Sequence, residues 1–206
     1  MAYEPVPDGD LAAVVTFLEM RKAPAFQIPA SNLSLRRIEH PEVDSYRQLF
    51  RRIGRHWLWF SRLILSDEEL AAIIDDPAVE LYIIVDEIGA DIGMIELDFR
   101  EPGQCELAFI GILPELTGMG HGRWLTGQTL RLAWRDGVRR LHVHTCTLDH
   151  PAALPAYLTA GFVAYKRATE RFPDPRLTGI LPKDAAPQIP LLGVDTEASS
   201  RPLSWT

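Results

Sequence analysis

Three glycines close the stretch ELAFIGILPELTGMGHG, which runs from Glu106 to Gly122. It opens as an apolar strand, passes Pro114, and reaches Gly118, Gly120 and Gly122 just before a helical stretch from Arg123 to Asp136. A strand that feeds a glycine-punctuated turn and then a helix is a ready place for a phosphorylated ligand. Unpaired N–H groups and the positive end of the helix dipole point the same way there, and glycines let a ligand come close. Carboxylates stand nearby in sequence. Glu106 lies on the strand itself, sharing a face with Ala108 and Ile110, where apolar surroundings should raise its pKa into a range that suits a base. The alternative is that Glu106 only solvates the strand's exposed start. Glu96 and Asp98 share one face of the preceding strand. They are candidates for a base, an ammonium-binding group or plain solvent-facing polar residues.

Other chemistries find less support. His142 and His144 lie two apart on an apolar strand, but no Cys-x-x-Cys or His-Glu-x-x-His spacing accompanies them, so no metal is expected. Cys146 has no base placed for it by the sequence and is not expected to act as a nucleophile. With Cys105 it makes two cysteines in 206 residues, which is no disulfide framework and fits reduced thiols in the cytoplasm. A formal charge of -7 argues against a nucleic-acid surface and mildly favours a cationic partner such as an amine. No apolar run approaches the ~20 residues needed to span a bilayer, and the first thirty residues carry no basic stretch followed by an apolar core and cleavage site.

The elements that would hold these residues follow from pattern. Residues 1–32 read as an N-terminal arm, with one extra strand over Val14–Met20 suggested by β-branched and aromatic content. A strand is expected over Leu33–Ile38. Pro41 then sits as a first helical residue, and Val43, Tyr46, Phe50 and Ile53 recur at helical spacing up to Gly54. Ser66 and Glu69 have capping-box spacing, which predicts a helix over Asp67–Ile74. Val79–Val85 and Ile92–Arg100 read as a hairpin, and Pro102-Gly103 turns the chain into the Glu106 strand. Leu141–Cys146 alternates as a strand, Asp149-His150-Pro151 starts a short helix that Gly161 closes, and Val163–Phe172 is the last strand. Residues 173–206 form a tail holding six of the sixteen prolines, expected to be irregular or extended. The sum is a mixed α/β (α+β) fold over residues 33–172, with a centrally antiparallel sheet flanked by helices.

Two windows in this order resemble the GNAT superfamily of acetyl-CoA-dependent N-acyltransferases. Thr117-Gly118-Met119-Gly120-His121-Gly122 is similar to that family's pyrophosphate loop, Gln/Arg-x-x-Gly-x-Gly/Ala, with Thr117 departing at the first position. About thirty residues on, His150-Pro151-Ala152-Ala153-Leu154-Pro155-Ala156-Tyr157-Leu158-Thr159-Ala160-Gly161-Phe162 resembles the family's Asn-Pro-x-Ala-x-x-x-Tyr-x-x-x-Gly-Phe helix. There His150 replaces Asn, and Pro155 is expected to bend the helix. The resemblance is motif-specific over Glu106–Phe162 and extends in element order over about residues 33–172. It implies an acetyltransferase that joins acetyl-CoA and an amine in a ternary complex without a covalent enzyme intermediate. Glu106 would be the base and Tyr157 the acid that protonates the coenzyme A thiolate. Backbone groups of Ile110, Gly111 and Ile112 would pair with the pantetheine arm, with Gly111 marking a bulge. His150 would touch the cofactor or cap its helix, and Trp57 and Trp59 would line the acceptor pocket or cover the core. A catalytically silent acyl-CoA-binding or sensor domain is the competing reading. The acceptor is a small-molecule or peptide amine, no membrane or nucleic-acid partner is implied, and the tail is a candidate contact for a homodimer.

Overall fold

A computed structural model describes residues 3–193. Among them run seven strands and four helices in the order β1 (Asp10–Met20), β2 (Ser34–Ile38), α1 (Val43–Gly54), α2 (Asp67–Ile74), β3 (Val79–Val85), β4 (Asp91–Asp98), β5 (Gln104–Ile112), α3 (Gly122–Ala133), β6 (Arg140–Cys146), α4 (Ala153–Ala160) and β7 (Val163–Pro173). The sheet order is β2-β3-β4-β5-β6-β1-β7. All pairs are antiparallel except β5–β6, which is parallel and is joined through the crossover helix α3.

Local chemistry accounts for most boundaries. Ser66 accepts from the Glu69 N–H while the Glu69 carboxylate takes the Ser66 N–H, a reciprocal cap that starts α2. Gly161 (φ 101°) ends α4 in the left-handed region. Pro155 does not bend α4, because the helix starts at Ala153 and its third residue needs no intrahelical N–H partner. Gly54 ends α1 as expected, but with φ -86° its role is space: a Cβ there would collide with Trp59.

β1 extends further than the segment read from sequence and lies inside the sheet. It pairs with β6 from Val15↔Cys146 to Met20↔Leu141, and with β7 from Asp10↔Pro173 to Glu19↔Val163. The sheet therefore runs across the boundary expected at residue 33. The irregular segment after β7 folds back onto the 3-10 turn Arg55–Trp57 that follows α1. Arg176, 2% exposed, pairs with Asp174 at 2.6 Å and donates to the Ala185 and Ile189 carbonyls. Leu58, Leu181, Ala185 and Ala186 bury a small apolar cluster beneath it.

The main core lies between the sheet and its helices. α1 covers one face of β4 and β5, setting Phe50 edge-on to Phe109 at 4.9 Å. α3 lies on the other face, where Arg135 just past its end bonds Glu80 at 2.7 Å and lies 3.4 Å from the centre of the Phe99 ring. No helix among the described residues is long and apolar enough to cross a membrane.

Candidate active site

The sheet splits beside β5. Parallel pairing with β6 covers only Gln104↔Arg140, Cys105↔Leu141 and Glu106↔His142, while β5 continues to Ile112 and β6 to Cys146. Beyond Glu106 the two strands part. An antiparallel slip between Glu96 and Leu97 leaves Ala108 as the extra residue on β5. The bulge is therefore at Ala108 and not at Gly111, which pairs regularly with Met94.

The glycine window lies beyond the open end of β5. After the turn Pro114–Leu116, Gly118 (φ 80°) and Gly120 (φ 88°) both take the left-handed conformation that favours glycine. The Leu116 and Thr117 N–H groups are satisfied by the Leu113 and Pro114 carbonyls. Among the described residues, those of Gly118, Met119, Gly120, His121 and Gly122 donate to no protein acceptor. A Cβ added at Gly118, Gly120 or Gly122 would meet nothing within 4 Å, so these glycines are not packing devices. Successive amides around two left-handed residues, at the start of the twelve-residue helix α3, suit a diphosphate. The Thr117 hydroxyl is turned away, donating to the Pro114 carbonyl at 2.6 Å.

Trp59 spans the split. Its ring packs 5.4 Å from Phe50 and 5.3 Å from Phe109, and its indole N–H donates to Asp149 at 3.2 Å. Asp149 also accepts from the Thr145 hydroxyl and the Cys146 N–H, which fixes the end of β6. Gly111 permits this approach, since a Cβ there would lie 2.5 Å from Ile53 Cγ2 and 3.2 Å from Trp59 Cη2. Gly111→Val is accordingly expected to cost about 1–3 kcal/mol by overpacking. Urea denaturation followed by tryptophan emission checks it, with a shifted native emission as Trp59 is displaced. Trp57 stands edge-on to His150 at 4.9 Å and lines a cavity of about 670 Å³ with Arg51, Arg52, His56 and Thr117. The His150 Nδ1 accepts the Ala152 N–H at 3.0 Å, in the turn just before α4, whose N-cap residue Ala152 has no side-chain cap.

The register places Glu96, Asp98, Glu106, His142 and Phe109 on the face that carries α1. Their states differ from the sequence expectation. Glu96 is fully buried and is no open substrate contact, because its oxygens accept from the Tyr46 hydroxyl at 2.5 Å and the Arg62 guanidinium at 2.6 Å. Burial pushes the Asp98 carboxyl up, but hydrogen bonds from Arg100 outweigh it and hold the pKa low. Glu106 was expected to have a raised pKa; the reverse holds. His144, whose Nδ1 lies 3.6 Å from a Glu106 oxygen, lowers it as a polar and charged partner, and this outweighs burial. His144 is raised in turn, first by its pairing with Glu106, while burial lowers His142.

Tyr157 projects from α4 and packs edge-on to Phe162 at 5.7 Å. Burial, with the Asp149 carboxylate adding, pushes its hydroxyl well above the ordinary value, so it stays protonated. Burial raises the Cys146 thiol to about 11, which removes it as a nucleophile at neutral pH. Among the described residues no three His, Cys, Asp or Glu side chains gather to hold a metal ion.

The sequence reading did not foresee the Glu106–His144 pair. A signal was available: a strand returning from a right-handed crossover lies beside the strand that fed it. His142 and His144 alternate with apolar residues, so they share the face of Glu106.

A mixed sheet split beside an amide-rich helix start is the architecture that these elements define. The acetyltransferase (GNAT) family model matches residues 44–162, more than half of the 206, and the chain belongs to that family. No curated protein sequence matches it. Among solved structures, a spermidine N-acetyltransferase from Vibrio cholerae, in complex with CoA and spermine, is 24% identical with a TM-score of 0.54, over 66% of this chain and 84% of that one. A GCN5-related N-acetyltransferase from Sphaerobacter thermophilus is 16% identical with a TM-score of 0.60, over 82% of this chain and 52% of that one. An aminoglycoside acetyltransferase from an uncultured soil metagenomic sample, in complex with sisomicin, is 15% identical with a TM-score of 0.52, over 66% and 92%. These likenesses establish the fold. The chain spans 52% of the Sphaerobacter protein and 64% of a functionally unknown conserved protein from Staphylococcus epidermidis that it also resembles, at 11% identity and a TM-score of 0.53.

Proposed function

We propose that this chain is a cytoplasmic N-acetyltransferase that moves an acetyl group from acetyl-CoA to a primary amine by direct attack in a ternary complex. The observation that carries the reading is the run of free N–H groups from Gly118 to Gly122 beyond the open end of the β5–β6 split. Acetyl-CoA would supply an activated acetyl carbonyl. The loop amides would hold its diphosphate, and the edge of Ile110–Ile112 would pair with the pantetheine arm as an added strand.

An alkyl amine is mostly ammonium at neutral pH and must lose a proton before it attacks. The Glu106–His144 pair, at the apex of the split, is the group assigned to receive it. Tyr157, kept protonated by burial, would donate to the departing thiolate. Trp57 and Trp59 would wall the acceptor side, with the Glu106 carboxylate giving it negative charge. Related structures that carry spermine and sisomicin support a polyamine or amino sugar as the acceptor class.

Calorimetric titration with acetyl-CoA, followed by thiol release with a panel of amines, tests this. Binding without release in any arm of the panel would favour a silent acyl-CoA-binding domain. Glu106→Gln is expected to lower turnover at neutral pH with acetyl-CoA affinity near wild type. Tyr157→Phe is expected to slow the chemical step at least about tenfold; unchanged single-turnover kinetics would remove its role.

A further inference from the structure

Taking the acetyl-transfer reading as its basis, we propose that the imidazole of His144 is the base that takes the acceptor's ammonium proton, with Glu106 as its positioning partner. Pairing between β5 and β6 stops at Glu106↔His142, and His144 is the next residue along β6 on that face. It therefore flanks the gap, while Glu106 stands where the gap begins. The His144 Nδ1 lies 3.6 Å from a Glu106 carboxylate oxygen. On its far side the ring meets Phe17 of β1 at 5.8 Å, and Lys166 of β7 lies 5.1 Å from the Phe17 ring. A ring held between a carboxylate and an aromatic has few orientations left to it. With Nδ1–H directed at Glu106, the neutral ring presents Nε2 as its acceptor, and at 52% side-chain exposure that nitrogen can meet a substrate.

The other titratable groups on this face are poorer choices. Glu96 is committed to Tyr46 and Arg62, and Asp98 to Arg100. His142 is held low by burial, and Glu106 is held low by His144. Glu106, Asp149 and Glu170 all act to raise His144, bringing it closer to the strength an ammonium demands. Glu101, Arg140 and Glu106 act on the neighbouring His142, and Glu19 of β1 stands opposite it.

The protons balance. Nε2 takes one proton from the ammonium and returns it to solvent. The amine nitrogen then forms its bond to the acetyl carbon as the carbon–sulfur bond breaks. The proton shed by the new amide matches the one taken up by the thiolate through Tyr157.

The test is the pH dependence of kcat/KM for wild type, Glu106→Gln and His144→Gln, with acetyl-CoA affinity measured alongside. Because only neutral imidazole can accept a proton, wild type should show an acid limb above the ordinary histidine value of about 6.5. In Glu106→Gln that limb should move down toward this value, with a several-fold lower plateau. His144→Gln should lose about 100-fold in kcat at neutral pH, with acetyl-CoA affinity unchanged. Imidazole added to His144→Ala should restore part of the rate. A wild-type rate in His144→Gln, together with loss of the acid limb in Glu106→Gln, would overturn the assignment and make Glu106 itself the base. A wild-type chain that releases no thiol with any amine overturns the functional reading and the base with it. NMR titration of His144 with and without Glu106 still reads the pairing, and an unmoved titration would reject it.

Discussion

Arg62→Met is expected to destabilise this protein by about 3–5 kcal/mol, lowering Tm by roughly 6–20 °C for a chain of this size. Arg62 is 16% exposed at its side chain and Glu96 1%, and they meet at 2.6 Å. Removing the guanidinium leaves a carboxylate in the core with only the Tyr46 hydroxyl as partner. Water cannot reach it, so the desolvation that the ion pair had offset is exposed in full. The guanidinium also lies 5.0 Å from the Phe109 ring, so the wall of the split loosens with it. Urea denaturation measures the loss. Arg62→Met combined with Glu96→Gln should recover much of it, because the pair is then removed together; a double variant no more stable than the single one would show that packing, not charge, dominates.

On the proposed function, Gly120→Val should weaken acetyl-CoA binding by at least about tenfold while leaving the fold intact. At φ 88° a β-branched side chain is strained, so the peptide must swing away. That turns one or two amides from their common target, each a charge-assisted contact of about 1.5–3 kcal/mol. A Cβ at Gly120 meets nothing within 4 Å, so no clash competes as an explanation. Gly122→Ala, which carries no positive φ, is the matched control and should bind near wild type. Calorimetry reads both, and equal affinities for the two variants would count against the amide loop.

Local signals carried most of the element map. Ser66 and Glu69 announced α2, and Gly161 closed α4 in the left-handed turn that its sequence position suggested. The glycine window came from turn chemistry along one stretch of chain, whereas Tyr157 came only from the resemblance of its helix to the GNAT pattern. What stayed hidden was set by distant partners. Glu96 reads as a polar residue on a strand face until α1 brings Tyr46 and the following loop brings Arg62. The raised pKa expected of Glu106 followed from its apolar neighbours in sequence, whereas the low one comes from His144, thirty-eight positions away and one strand across. Arg176 gave no hint of burial, since its partners are the aspartate two residues before it and carbonyls of a proline-rich tail.

The placement of β1 has a consequence for how the protein is made. Residues 10–20 leave the ribosome well before both of their sheet neighbours, β6 and β7, which lie more than a hundred residues further along the chain. A nascent chain must therefore carry an apolar ribbon with both edges unpaired until β6 and β7 follow. Closing two long loops onto it is expected to slow folding. Trimming the N-terminus past Asp10 would remove a middle stave rather than an ornament, parting β7 from the rest of the sheet.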